Sequence, residues 1–133
     1  MCSSDLHMAV DRTSHHSALA GLQLSGAMPV WVFPDLHPEY GLPIGLAPHA
    51  LSAVPSNITA ISCTSPAYVG TMSTVRPLAE HAHAMGVPLV VDQAWGAHLD
   101  WMHETHAGAI AQGADLVVTS IRCSSRRDLR PAQ

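Results

Sequence analysis

Residues 87–91, Val-Pro-Leu-Val-Val, form a short uninterrupted apolar run that ends at the carboxylate of Asp92. Such a run is typical of a strand buried on both faces, as in parallel sheets that helices cover on both sides. In these sheets ligands bind in the crevice beyond the carboxyl ends of the strands. Asp92 is therefore the first candidate functional residue, and a turn aspartate that caps the next segment is the alternative.

Strand-like and helical segments alternate along the rest of the chain. The clearest helical pattern covers residues 73–85, where apolar residues recur at helical spacing and Gly86 ends the helix. Further helices are predicted over residues 18–25, 48–54 and 105–112, and strands over residues 9–10, 29–34, 59–64, 88–91 and 114–120. This alternation implies right-handed crossovers and a mostly parallel sheet of four or five strands.

Two further features of the sequence are candidates for function. The predicted strands nearest the C-terminus end in Asp92 and in Thr119-Ser120, so polar groups from both are expected to meet there. Residues 35–48 are rich in glycine and proline and read as a long ordered loop. Loops of this length without their own secondary structure are usually functional or serve as linkers.

The composition is that of a protein interior. Only 12% of the residues are charged and 47% are hydrophobic, against about 25% charged in a typical soluble domain, which suggests the middle of a larger protein. The net charge of −4 provides no global field for nucleic acid or anionic membranes, and no apolar run approaches the roughly 20 residues of a membrane span. Cys2, Cys63 and Cys123 are odd in number and widely spaced, which favours a reduced, cytoplasmic protein.

The C-terminal residues and the histidines raise two other classes of partner, nucleic acid and metal ions. Residues 121–133 hold four of the six arginines but lack the aromatic residues of a nucleic-acid surface. Ten histidines include His103 and His106, whose i, i+3 spacing zinc can use. Neither an HExxH motif nor a finger spacing is present, so no metal site is predicted. A histidine-rich metal-binding protein stays the alternative of another class.

Four segments in register resemble the pyridoxal-phosphate-dependent ornithine/lysine/arginine decarboxylases. Residues 90–98, Val-Val-Asp-Gln-Ala-Trp-Gly-Ala-His, resemble the cofactor strand of that family. Residues 11–17, 26–32 and 64–70 resemble its Asp-Arg-Asn-Cys-His-Lys-Ser turn, the following strand and its Thr-Ser-Pro-Thr-Tyr-x-Gly loop. The resemblance implies an α/β fold with three α/β/α layers and a mostly parallel sheet. That fold is part of the aspartate-aminotransferase-like (fold type I) large domain.

The resemblance also assigns a role to the carboxylate with which the apolar run ends. Asp92 would pair with the pyridine nitrogen of pyridoxal phosphate and keep it protonated, so that the ring can accept electrons from the bond that breaks. His15 matches the histidine that stacks on the cofactor ring, and Ala94 would lie against the opposite face. A histidine at a helix start that faces solvent is the alternative for His15.

Three more positions of the cofactor site are implied by the same resemblance. Trp95 matches the aromatic position of tryptophan-bearing members, although a structural tryptophan is an equal alternative. Ser120 corresponds to a serine near the phosphate or the lysine, and His98 to a residue that forms local hydrogen bonds. The cofactor-binding residues expected from the resemblance are thus His15, Asp92, Ala94, Trp95, His98 and Ser120.

The sequence departs from the family at its reactive amine. The family continues with Ser-Thr-His-Lys, whose lysine forms the Schiff base, whereas this chain has Ser120-Ile-Arg-Cys123 and no lysine at all. No catalytic residue is therefore predicted, and covalent catalysis through that amine is lost. The glycine- and serine-rich phosphate turn and the small C-terminal domain of the family are also missing.

These observations predict a fragment of a decarboxylase of arginine, lysine or ornithine, inactive alone and without complete cofactor binding. Residues 1–9 are expected to be a non-family leader and residues 10–120 a partial major domain. Residues 121–133 are expected to be a non-family tail that a frameshift would explain. An aminotransferase or aldolase of the same fold type is the nearest alternative. Full-length family members are expected to be cytoplasmic homo-oligomers whose partner is a small-molecule amino-acid substrate, with no nucleic acid or membrane partner.

Overall fold

The computed structural model describes residues 6–101 and 108–120. At its centre lies a five-stranded sheet in the order β2-β1-β3-β4-β5, in which every neighbouring pair is parallel. The strands are β1 (His7–Asp11), β2 (Met28–Val32), β3 (Ile58–Thr64), β4 (Leu89–Asp92) and β5 (Leu116–Val118). The predicted α/β class with a parallel sheet is confirmed.

Two α-helices connect these strands, α1 (His16–Ser25) and α2 (Val75–Ala84). Short 3-10 turns cover Pro48–Leu51, Ala97–Trp101 and Ile110–Gln112. The structure forms no α-helix in the described part of residues 105–112, where that prediction was wrong. Gly108 is a poor helix former, and the Ala109 N–H donates its hydrogen bond to Oε1 of Gln93 instead of to a backbone carbonyl of a helix. Residues 102–107 lie outside the described part of the chain.

Helix α2 covers one face of the sheet and forms the hydrophobic core with it. Its apolar stripe includes Leu78 and Ala82, which are fully buried and belong to one cluster with Ile61, Leu89 and Val91 of the strands. These strand residues alternate with those of the opposite face, as the period of two in a strand requires. The core therefore lies between α2 and the sheet.

Helix α1 lies on the opposite face, so the arrangement has three layers. It buries only Leu22, and with the strands it encloses an apolar cavity of about 360 Å³. Met8, Val10 and Val90 line this cavity from the sheet side, with Asp92 at one end. No helix of the described residues is long and apolar enough to cross a bilayer.

All five strands end at the same edge because they are parallel. In the register of the sheet Thr64 pairs with Asp92, and Asp92 pairs with Val118. Asp11 ends β1 at the same edge. The sheet thus brings Asp92 to the carboxyl edge, where the sequence predicted it.

Candidate functional site

A cavity of about 940 Å³ opens at the carboxyl edge of the sheet. Residues 12–17, which follow β1 and begin α1, form one wall, and the segment after β4 forms another. Five of the six residues predicted for the cofactor site line it, namely His15, Asp92, Ala94, Trp95 and Ser120. His98 does not line this cavity and lies exposed in the 3-10 turn that follows.

Asp92 has two structural relationships at this edge. Its side chain is half-buried, and its Oδ1 accepts a hydrogen bond of 3.0 Å from the backbone N–H of Ala94. The same residue lines the large cavity and the smaller apolar one beneath α1. The turn cap and the cavity position, which the sequence left as alternatives, therefore occur together, and the cap fixes the carboxylate against the cavity.

His15 is the N-cap residue of α1. Its backbone is extended, and its Nδ1 accepts a hydrogen bond of 3.3 Å from the Ser17 N–H, with the Ser17 Oγ at 2.8 Å. The ring also packs against His16, with 3.8 Å between the ring centroids. A neutral imidazole that accepts at Nδ1 carries its proton on Nε2. The cap therefore holds the ring in the cavity wall in a defined orientation.

The segment that follows β4 is held by the buried side chain of Gln93. Its Nε2 donates to the Gly96 carbonyl at 3.1 Å, and its Oε1 accepts from the Ala109 N–H at 2.7 Å. A Cβ on Gly96 would lie 2.6 Å from Cδ of Pro66, so this turn packs directly on the neighbouring loop. The turn presents Ala94 and the half-exposed Trp95 to the cavity.

Asp11 is a buried carboxylate that the sequence analysis did not select. Its side chain is 1% exposed, and Oδ1 accepts hydrogen bonds of 2.8 Å from both the N–H and the hydroxyl of Thr13. Oδ2 accepts a third bond, of 3.1 Å, from the Thr64 N–H. The sequence pattern that selected Asp92 could also have selected Asp11, because Asp11 likewise ends a short apolar strand at the carboxyl edge.

Thr64 lines the same cavity at the end of β3 and was likewise missed. The residue is 6% exposed, and its Oγ1 has no hydrogen-bond partner among the described residues. Two further lining residues were not predicted, Arg12 and Tyr68. The Arg12 guanidinium lies 5.4 Å from the ring centroid of Trp31, and among the described residues it is the only permanent cation in the cavity lining.

The thiol of Cys63 shows how the carboxylates act on their surroundings. Burial, together with the negative charges of Asp11 and Asp92, raises its pKa to about 12. Cys63 is therefore a neutral thiol inside the core, which does not suit a nucleophile. Both carboxylates thus lie close enough to Cys63 for their charges to act on its thiol.

The predicted ordered loop, residues 35–48, forms part of the cavity wall through Pro43. It is attached to the segment before α2, where the Leu46 N–H donates to Ser73 Oγ at 3.0 Å. The Thr71 hydroxyl donates to the Pro43 carbonyl at 2.8 Å. These bonds hold a loop without regular secondary structure in one place at the mouth of the cavity.

The histidines do not assemble a metal centre in the part of the chain that is described. There, no three histidine, cysteine, aspartate or glutamate side chains are grouped so that they could hold an ion. His83 pairs instead with Asp115, at 2.9 Å between Nε2 and Oδ2. His103 and His106, on which the zinc alternative rested, lie outside the described residues.

Comparison with known proteins shows the family of this chain. A family model described as "Orn/Lys/Arg decarboxylase, major domain" matches residues 1–124. The chain belongs to this family. It is 29% identical to the arginine decarboxylase of Bacillus subtilis (strain 168), over 91% of this chain and 25% of that protein. The chain spans about a quarter of the length of the curated relatives it matches.

Solved structures show the fold. A sphingosine-1-phosphate lyase of Burkholderia pseudomallei matches with a TM-score of 0.65 at 16% identity, over 86% of this chain and 27% of that one. A pyridoxal-phosphate-bound putative aminotransferase from Clostridium difficile 630 matches with a TM-score of 0.60 at 12% identity, over 77% and 26% of the two chains. The predicted part of a fold type I large domain is confirmed.

Proposed function

We propose that the chain is the central part of the major domain of a pyridoxal-phosphate-dependent decarboxylase of arginine, lysine or ornithine. The observation that carries the proposal is the cavity at the carboxyl edge, in which Asp92, His15, Ala94, Trp95 and Ser120 meet. The family and the arginine decarboxylase relative support this reaction class over the aminotransferase alternative. We further propose that the full-length protein is a cytoplasmic homo-oligomer.

The side chains of the cavity suit pyridoxal phosphate. A carboxylate at the end of a strand suits a protonated ring nitrogen, and Asp92 supplies it. The imidazole of His15 and the small side chain of Ala94, both in the lining, suit the two faces of an aromatic ring. The guanidinium of Arg12 and the hydroxyl of Ser17, both in the lining, suit an anionic group.

The cofactor, when bound, supplies an electron sink for the bond that breaks. The contribution of this chain is to bind and to orient. Asp92 would hold the proton on the ring nitrogen, because its negative charge favours the protonated, positively charged ring. His15 and Ala94 would fix the plane of the ring. Trp95, which is half-exposed at the mouth, would exclude water from one side.

The chain alone is proposed to be inactive. It contains no lysine, and Cys123, which the resemblance puts at the position of the Schiff-base lysine, has no amine. Cys123 lies outside the described residues. Binding of pyridoxal phosphate to this chain is therefore proposed to be weak and reversible, because the covalent bond to the enzyme is missing. The domain boundaries after residues 9 and 120 stay predictions.

The first experiment measures pyridoxal phosphate binding by equilibrium dialysis of the purified chain. Asp92→Asn should weaken binding by about 10- to 100-fold, since a hydrogen bond to a charged group contributes about 1.5–3 kcal/mol. The matched control is Asp35→Asn, the same substitution at an exposed carboxylate that pairs with His49 outside the cavity lining. Equal binding by the two variants would contradict the proposal for Asp92.

The second experiment tests the position of the missing amine. Cys123→Lys should gain a covalent adduct with pyridoxal phosphate after borohydride reduction, located by peptide mass spectrometry. Arg122→Lys is the control, because it introduces the same amine one residue away. The native chain should show no adduct at a side chain and no decarboxylation of arginine, lysine or ornithine. Turnover by the native chain would overturn the assignment of Cys123.

A further inference from the structure

Two aromatic residues of the cavity lining, Tyr68 and Trp95, have exposed side chains. Tyr68 is 69% exposed and Trp95 is 56% exposed. In the described part of the chain, neither ring packs on another aromatic ring or on a guanidinium; the ring contacts found there involve other residues. Aromatic side chains that line a cavity without such a partner are typical of a ligand contact.

The backbone fixes the place of Tyr68 in this lining. The Gly70 N–H donates to the Ala67 carbonyl at 2.8 Å, and the Ala67 N–H donates to the Thr71 carbonyl at 2.8 Å, which closes a turn around Tyr68. The Thr71 hydroxyl ties this turn to the Pro43 carbonyl. A side chain on a fixed backbone loses less freedom when it contacts a ligand.

Trp95 is held in a similar way, on a turn of its own. The Gly96 N–H donates to the Gln93 carbonyl at 2.9 Å, and Nε2 of Gln93 donates back to the Gly96 carbonyl. A Cβ on Gly96 would lie 2.6 Å from Cδ of Pro66. The turn that carries Trp95 therefore packs on the loop that carries Tyr68, and the two exposed rings line the cavity from adjoining walls.

The charges of the lining leave a cationic substrate group without a carboxylate partner. Among the described residues, Asp92 is the only carboxylate of the lining, and the proposed function assigns it to the ring nitrogen. The guanidinium of Arg12 disfavours a second cation nearby. Arg12 follows β1 and Trp95 follows β4, two strand spacings or about 10 Å away. A substrate cation is therefore favoured on the side of the two rings.

An aromatic face attracts a guanidinium or ammonium group through the quadrupole of the ring. We propose that Tyr68 and Trp95 bind the cationic end of the side chain of arginine, lysine or ornithine, and that they thereby determine the preference for a basic amino acid. The inference rests on the proposed function, which supplies the cofactor and the class of substrate. Neither ring acts on the bond that breaks.

The test uses two stable ligands that need no lysine in the protein. Borohydride reduction of the adducts of pyridoxal phosphate with arginine and with citrulline gives two conjugates. They differ only at the end of the side chain, which is a guanidinium in one and a neutral ureido group in the other. In equilibrium dialysis with the native chain, the arginine conjugate should bind more tightly by about 2- to 5-fold for each ring, or about 4- to 25-fold in all.

Substitutions of the two rings show whether they cause this preference. Tyr68→Leu and Trp95→Leu should each lower the ratio of the two Kd values about 2- to 5-fold, whereas Tyr68→Phe and Trp95→Phe retain a ring and should retain most of it. Tyr40→Leu is the matched control, because Tyr40 is 65% exposed but lies outside the lining. A purely structural role would change both Kd values equally and leave their ratio as it is.

The outcomes separate this inference from the proposed function. If both conjugates bind and Asp92→Asn weakens both, the proposed function stands. A native chain that then binds the two conjugates equally overturns the role of the rings without any variant, and so does a preference that survives both leucine substitutions. If only one leucine variant loses preference, the role of the other ring is overturned. If neither conjugate binds to the native chain, the proposed function fails and this inference fails with it.

Discussion

Gly45 is one of the points at which the ordered loop of residues 35–48 contacts the segment before α2. Its φ of +93° lies in the left-handed region, and a Cβ built there would lie 2.3 Å from the carbonyl oxygen of Met72 and 2.9 Å from the nitrogen of Ser73. Both neighbours are backbone atoms, so they cannot move aside as a side chain would. Gly45→Ala is therefore expected to destabilise the loop that forms one wall of the cavity.

The size of the effect follows from two separate costs. A residue with a Cβ pays about 1–2 kcal/mol for the left-handed conformation. Overlap with a well-packed neighbour costs about 1–3 kcal/mol more. Gly70 isolates the first cost, because its φ is +86° and a Cβ there would meet nothing within 4 Å. Gly70→Ala should therefore cost about 1–2 kcal/mol, and Gly45→Ala about 2–5 kcal/mol.

Urea unfolding followed by far-ultraviolet circular dichroism measures the difference. With a slope of about 1–3 kcal/mol per molar urea, the midpoint of Gly45→Ala should lie roughly 1 M below that of Gly70→Ala. The slopes should agree, since both variants expose the same surface on unfolding. Coincident midpoints for the two variants would refute the reasoning from the contact with Met72, because they would leave only the conformational cost that both share.

Three other predictions follow from buried or paired groups. Gln93→Leu should lower the free energy of unfolding by about 1–3 kcal/mol in the same urea assay, because the buried Ala109 N–H loses its acceptor; no change would contradict that role. Cys63 should resist iodoacetamide in the native chain at pH 8 and react fully in urea, because burial and the nearby carboxylates raise its pKa to about 12. Peptide mapping would measure the labelling, and equal labelling rates of Cys63 in buffer and in urea would refute this. The Leu89 N–H lowers the pKa of Asp115, so this carboxylate stabilises the fold above its unfolded pKa and ceases to do so as the pH falls through the lower folded value. On acidification from neutral pH to below about pH 4, Asp115→Asn should therefore lose less stability than the native chain. Acid unfolding curves of the same shape for the variant and the native chain would contradict this role of Asp115.

The fold was predictable because its signals are local and agree with one another. The apolar run before Asp92 and the helical stripe of α2 each specify one element, and their alternation leaves few topologies other than a parallel sheet. The helix predicted over residues 105–112 failed because a tertiary contact decided it. The Ala109 N–H bonds to Gln93, sixteen residues away, and helical periodicity in the sequence does not reveal that contact.

The site was predictable where a residue type has one clear chemical use. Asp92 was selected because it ends an apolar strand, and the resemblance to the family added Trp95; both residues line the cavity. The residues that were missed are those whose meaning depends on distant partners. Asp11 shares its local pattern with Asp92, but its importance rests on a bond to Thr64, fifty-three residues away. That the Thr64 hydroxyl has no hydrogen-bond partner among the described residues is visible only in the structure.

The binding half of the site does not need the reactive amine in order to form. The Asp92 carboxylate is oriented by the Ala94 N–H, His15 by the Ser17 N–H, and Thr64 by Asp11. Every one of these bonds lies within the described chain, and none involves residues 121–133. Under the proposed function, binding and orientation of the cofactor would therefore not require covalent attachment. For the proposal that Cys123 corresponds to the Schiff-base lysine, gain of an adduct in Cys123→Lys is therefore a sharper test than loss of activity.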